Sequence, residues 1–258
     1  MTDVRPPIVV MERYELKYIV TQDQAEFFLR GVGERLLPDR YGLTTIASLY
    51  YDTPDRRLIR ASLEKPKFKE KIRLRSYGPA TDDSPVFLEM KRKCSGIVYK
   101  RRMQTTVPQA ARFFSGADGG DSQIAREIGY FRDFYGSLAP SCLIFCDRTA
   151  FVAPGNDIRA TLDANPRFRS DDLDLRSPVR GEPLLPPGYL VLELKTEQVL
   201  PFWMAKLLSE GGIYQTSFSK YGEAYRSIMT GCGTRPPAYG RRYPAAAFPD
   251  FSTDKKGP

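Results

Sequence analysis

No histidine occurs among the 258 residues of the chain. Its absence excludes Ser-His-Asp and Cys-His nucleophiles, imidazole acid–base catalysis, imidazole-ligated metals and a phosphohistidine intermediate. Any chemistry must run on carboxylates, cations and oxygen-ligated metal. Cysteine is scarce too: Cys94, Cys142, Cys146 and Cys232 show no paired Cys-x-x-Cys spacing, which argues against a zinc site or a disulfide framework and for free thiols in a reducing compartment. No apolar run approaches the roughly 18 residues of a membrane span, and the opening "MTDVRPPIVVMERYELKY" lacks the apolar stretch of a signal peptide, so a cytoplasmic location is expected. No Walker A sequence occurs, so any triphosphate would be bound otherwise than by a P-loop.

What is present is charge. The net charge of +8 suits an anionic partner, and 41% hydrophobic residues suffice for a core. The runs 13–20, 44–53, 68–78, 85–93, 97–107, 141–153, 157–170 and 188–197 read as strands, with 85–93 and 97–107 joined as a hairpin at "CSG". Helices are predicted over 21–36 with Thr21 as N-cap, 54–65, parts of 108–139, 201–212 and 219–231. The aromatic stretches "EFFL", "YFRDFY" and "PFWM" read as helix faces packed outside the sheet, while Tyr51 or Asp52 either faces the mouth of the enclosed space or ends its strand before Pro54. The expected organisation is a leader over 1–9, one domain over 10–231, and a Pro/Gly-rich basic tail over 232–258 that reads as disordered.

The strands alternate apolar residues with charged ones. Glu-x-Lys recurs at 15–17 and 193–195 and as Glu89-Met-Lys91, Lys69, Lys71, Arg73 and Arg75 share one phase, and Arg159, Thr161 and Asp163 share another. Side chains two apart in a strand point to one face. For a single strand this describes a solvated, ion-paired face; for all of them together it describes a sheet whose apolar face packs under helices and whose charged face curls inward. The expected fold is therefore α+β: an antiparallel closed barrel with outer helices and a cationic lumen. Lys17, Arg73, Arg75, Lys91, Lys100, Arg148, Arg159 and Lys195 would crowd against Glu15, Glu89 and Glu193, and such cations repel one another unless a multiply charged anion lies among them. A chain of phosphates fits, and the three carboxylates would hold a hard divalent ion, Mg²⁺ or Mn²⁺.

Together, "RYELKY", "YYDT", "KIRLRSYG", "FLEMKRK", "VYKRR", "RTAF", "RATLD", "LELKT" and "SFSKY" resemble the VTC domain, the polyphosphate-polymerase domain of the vacuolar transporter chaperone complex, a member of the triphosphate tunnel metalloenzymes that also include CYTH-type adenylate cyclases. The resemblance spans roughly residues 10–228 and implies a triphosphate tunnel fold that binds ATP and inorganic polyphosphate or triphosphate. It implies Lys17, Arg73, Arg75, Lys91, Lys100, Arg148, Arg159 and Lys220 as phosphate ligands with Ser219 beside them, and Glu193 as principal metal ligand. Glu15, Glu89 and Lys195 rest more on strand phase. Cys146 departs from the pattern, which usually has Tyr two residues before the Arg of "DRTAF".

The activity so implied is transfer of the γ-phosphoryl of ATP to a growing polyphosphate chain, with Lys17, Arg73, Arg75, Lys91, Arg148 and Lys195 in the catalytic set. The alternatives are triphosphate hydrolysis by the same fold and a binding module without turnover. Cations at alternate strand positions, without an exposed basic block or an RNP-like signature, argue against nucleic acid as partner. A membrane-bound partner that receives the product is compatible with the sequence.

Overall fold

The computed structural model describes residues 14–231 apart from 65, 96, 118, 156 and 198. The expected leader and tail, residues 10–13 and Cys232 lie outside the described residues. In chain order the elements are β1 (Tyr14–Thr21), α1 (Gln22–Val32), β2 (Leu37–Pro38), β3 (Thr44–Asp52), α2 (Arg57–Leu63), β4 (Phe68–Tyr77), β5 (Val86–Cys94), β6 (Ile97–Thr105), α3 (Val107–Phe114), α4 (Gln123–Tyr135), β7 (Ala139–Val152), β8 (Ile158–Arg169), β9 (Glu182–Pro183), β10 (Tyr189–Thr196), α5 (Phe202–Glu210) and α6 (Lys220–Thr230). Thr21 caps α1 in a capping box with Gln24, and Thr106 caps α3 in the same way with Gln109, so the orphan amides at both helix starts are satisfied locally. Helix α2 begins at Arg57, three residues later than the pattern suggests. The turn Thr53–Arg56 intervenes, and Arg56 takes a left-handed φ of 57°.

All ten strands join one antiparallel sheet, with the main path β1-β10-β8-β7-β3-β4-β5-β6. Among the described residues its two ends, β1 and β6, are not paired with each other, so in place of the closed barrel expected from the charge pattern these residues form an open, strongly curled sheet. Alternation tells which face a residue occupies and not whether the edges meet. The curl nonetheless brings Lys91 Nζ on β5 within 3.0 Å of Glu15 Oε2 on β1.

Two cores lie on the convex face. Ala25, Phe28 and Val32, the inner stripe of α1, pack with Met204 and Leu207 of α5 on Leu162, Leu192 and Leu194. Gly31 permits that approach, since a Cβ there would meet Leu207 Cδ1 at 2.2 Å. Phe113 of α3 and Ile128 and Phe131 of α4 pack on Leu49, Ile72, Leu74, Leu88 and Met90. The aromatic helix stretches accordingly lie outside the sheet, with Phe202, Tyr130 and Phe134 left exposed. Among the described residues no helix is long and apolar enough to cross a membrane.

A third core, with Ile59 of α2 and Tyr221 and Ala224 of α6 against Tyr50, Ile144 and Val191, fills one end of the concave side. Asp52 pins this plug. Its carboxylate accepts from the amides of Thr53, Leu58 and Ile59 and, at 2.8 Å, from the Tyr221 hydroxyl. Tyr51 turns away from the charged side, stacking on Phe114 at 3.7 Å between ring centroids in the convex core, whereas Asp52 lies in the plug at one end of the concave side and serves α2 and α6. Tyr221→Phe is expected to lower stability by about 1–3 kcal/mol in urea denaturation, because Asp52 loses a buried donor and Ser141 loses the phenol oxygen as its partner.

Candidate functional site

The antiparallel register turns repeated Glu-x-Lys into alternating charge. Lys17 lies opposite Glu193 and Glu15 opposite Lys195. Further along, Glu193 faces Thr161 and Lys195 faces Arg159, Asp163 faces Arg148, Tyr50 faces Arg73, Arg73 faces Glu89, and Lys71, Lys91 and Lys100 form one rung. Each of these side chains sits in the phase opposite to the convex cores, so the concave face collects charge from seven of the eight main strands, with Tyr50 from the remaining one, β3.

Three knots of ion pairs result. In the first, Lys17 Nζ bridges Glu15 Oε1 at 3.1 Å and Glu193 Oε2 at 3.6 Å, and Lys195 reaches Glu193 Oε1 at 2.6 Å. In the second, buried Glu89 receives Arg73 at 2.8 Å and Lys100 at 2.7 Å, with Arg75 at 3.7 Å, and Arg73 also donates to the Tyr50 hydroxyl at 2.9 Å. In the third, Asp163, fully buried, is gripped by both arms of Arg148 at 2.6 and 2.7 Å and by Lys220 at the start of α6. Ser219 caps α6, accepting from the Gly222 amide at 3.2 Å and from Lys71 Nζ at 3.1 Å, so the positive end of that helix opens toward the same face.

Burial alone would raise the carboxyl pKa values. Arg73, Arg75 and Lys100 around Glu89, Lys220 and Arg148 around Asp163, and Lys195, Lys17 and Arg148 around Glu193 outweigh it and hold all three well below the usual range. Lys71 is destabilised in its charged form instead: burial, reinforced by Lys17, Lys69 and Lys91 against the favourable Tyr50, lowers its pKa to about 8. Ten cations (Lys17, Lys71, Arg73, Arg75, Lys91, Lys100, Arg102, Arg148, Lys195, Lys220) share this face with four carboxylates (Glu15, Glu89, Asp163, Glu193).

The residues singled out from the sequence do not all converge. Lys17, Glu15, Glu193, Lys195 and Lys91 meet; so do Arg73, Arg75, Lys100 and Glu89; and Arg148 joins Lys220 through Asp163. The half-exposed Arg159 instead turns at the rim to Asp39, 3.0 Å away on the loop after β2. The three carboxylates expected around one metal are split, with Glu89 among guanidinium groups and only Glu15 and Glu193 side by side. Among the described residues no group of three or more His, Cys, Asp or Glu is arranged to hold a metal ion.

Sequence reasoning passed over Asp163, Lys71 and Tyr50 as site residues. The first two stood in phase with their Arg neighbours and could have been found by that phase. Tyr50 lies in a run apolar on both faces, where no period can be read. Cys146 is buried on the concave side beside Asp163, and burial and that carboxylate raise its thiol pKa. Among the described residues on this face, Glu89 Oε1 has the Lys100 ammonium at 2.7 Å, whereas the hydroxyl of Thr161, whose residue is 2% exposed, has no hydrogen-bond partner.

The VTC domain family matches this chain over residues 12–229, and the chain belongs to that family. No curated protein matches it significantly. Solved structures similar to it include a candidate adenylate cyclase from Vibrio parahaemolyticus, at 12% identity and a TM-score of 0.44, covering 84% of this chain and 97% of that one. A candidate adenylate cyclase from Bacillus halodurans has 14% identity and a TM-score of 0.47, covering 80% and 92%.

The depressed carboxylates give stability a definite pH dependence. Ionised Glu89, Asp163 and Glu193 contribute fully above their unfolded pKa values near about 4, and that contribution is lost as pH falls below them. The thermal unfolding midpoint should therefore drop between about pH 5 and pH 3. Asp163→Asn should cost about 3–5 kcal/mol at neutral pH, by leaving Arg148 and Lys220 uncompensated, and should flatten the acid limb.

Proposed function

We propose that this protein is a metal-dependent polyphosphate polymerase that transfers the γ-phosphoryl of ATP to the end of an inorganic polyphosphate chain. The observation that carries the reading is that, among the described residues, at least ten cations share one concave face with four carboxylates, an excess that favours a polyanion. Family membership supports it. The curled sheet supplies the walls of the proposed tunnel, with the Lys91–Glu15 pair spanning the seam between its edges.

Arg75, and the guanidinium N–H groups of Arg73 and Arg148 that Glu89, Tyr50 and Asp163 leave free, would meet phosphate oxygens, and Lys17, Lys71, Lys91, Lys100, Lys195 and Lys220 would act as point charges, with Ser219 at the positive end of α6. Arg159 at the rim would meet the part of the chain that enters or leaves. A terminal oxygen of the acceptor attacks the γ-phosphorus in line, a new P–O–P link forms, the bond to the β-phosphate oxygen breaks, and ADP departs. No protein nucleophile is needed, since the cations stabilise charge on the equatorial oxygens.

The donor set for a divalent cation is Glu193 with Glu15: two adjacent carboxylates, all-oxygen, matching the one or two carboxylates plus substrate phosphates with which Mg²⁺ is ordinarily held. Mg²⁺ or Mn²⁺ bound there would neutralise phosphate charge alongside the lysines. Lys17, which bridges the two carboxylates, would then be released toward phosphate.

The unpaired edges β1 and β6 favour one second reading, because a face open along its seam admits water as nucleophile, which makes the same site a triphosphatase. Protein incubated with ATP and Mn²⁺ should yield ADP and a ladder of polyphosphate on a gel, abolished in Arg73→Ala. Free phosphate without a ladder would establish hydrolysis, and neither product would leave a binding module.

A further inference from the structure

We infer that the hydroxyl of Thr161 is a ligand of the divalent cation at Glu193, completing a site of two carboxylates and one hydroxyl on the concave face. The inference rests on the reading that this face binds a cation beside Glu193 and adds to it a residue of another strand. Thr161 lies directly opposite Glu193 in the β8–β10 ladder, in phase with Asp163 and out of phase with the apolar Ala160 and Leu162. Side chains so paired stand about 4.5–5.5 Å apart at Cβ.

Its hydroxyl has no partner, and the neighbours explain why. Asp163 has both carboxylate oxygens occupied by Arg148, and Glu193 is turned to Lys195 and Lys17. Across the other ladder Thr161 faces Ala150, which offers nothing. A buried hydroxyl without a hydrogen bond is costly, which makes an absent ligand the economical explanation. The nature of that ligand follows from the surrounding charge. A phosphate oxygen at Thr161 would meet the Glu193 carboxylate, whereas a cation is attracted to it, and the ammonium of Lys17 between Glu15 and Glu193 already occupies the kind of place a cation takes. A hydroxyl oxygen beside carboxylates is a hard donor suited to Mg²⁺ or Mn²⁺.

The test is titration of the full chain with Mn²⁺ alone, following the free-ion electron paramagnetic resonance signal. Thr161→Val keeps the branched shape and removes only the oxygen. It is expected to weaken Mn²⁺ binding roughly tenfold or more, with Thr161→Ser staying close to the wild type. Metal-free tripolyphosphate affinity should be unchanged in Thr161→Val, and its metal-free unfolding midpoint should be equal to or above that of the wild type. If Glu193→Gln loses Mn²⁺ and Thr161→Val does not, the cation stays with Glu193 and Thr161 is excluded. If Thr161→Val weakens tripolyphosphate instead of Mn²⁺, the hydroxyl serves phosphate and the inference is overturned. A wild type that retains no Mn²⁺ would overturn both this inference and the cation reading on which it rests.

Discussion

Three buried carboxylates make the concave face possible. Without Glu89, Asp163 and Glu193, the guanidinium and ammonium groups of six strands and α6 would lie close to one another in a poorly hydrated space, and the sheet would have to uncurl to relieve them. Each carboxylate gathers cations from different strands: Glu89 those of β4 and β6, Asp163 those of β7 and α6, Glu193 those of β1 and β10. They do not cancel the charge. The surplus that remains, spread over several rungs, is the property a chain of phosphates can neutralise and a single small anion cannot.

The same arrangement ties the fold to the site. The convex face is apolar because it carries α1 and α5 on one flank and α3 and α4 on the other. The strict alternation this imposes on each strand leaves every second residue to the inside. At one end the inside is closed by α2 and α6, held through Asp52 and Tyr221, and that plug aims Ser219, Lys220 and the start of α6 at the cationic concave face. Substitutions in the plug would therefore reach the site through the position of α6.

How much of this was legible depended on the kind of signal. The Thr21 N-cap, the order of strands and helices and the inward phase of Lys17, Arg73, Arg75, Lys91 and Glu193 all follow from local spacing, and the resemblance over residues 10–228 agrees with the family match over 12–229. What spacing does not carry is pairing at a distance. The destination of Arg159 is Asp39, 120 positions away, and the separation of Glu89 from Glu15 and Glu193 depends on how strongly eight strands curl. Whether β1 and β6 meet is equally non-local. In β3 both faces are buried, so the choice between Tyr50 and Tyr51 was made by α2, α3 and α6 and left no trace in the alternation.

The central claim is that this face exists to hold several linked phosphates. Its most direct test is the unfolding midpoint of the metal-free protein with orthophosphate, pyrophosphate and tripolyphosphate, at equal phosphorus concentration and fixed ionic strength. The structure predicts that stabilisation climbs steeply with chain length, as each added phosphate reaches another rung of cations. Tripolyphosphate stabilising the protein no more than orthophosphate would contradict it.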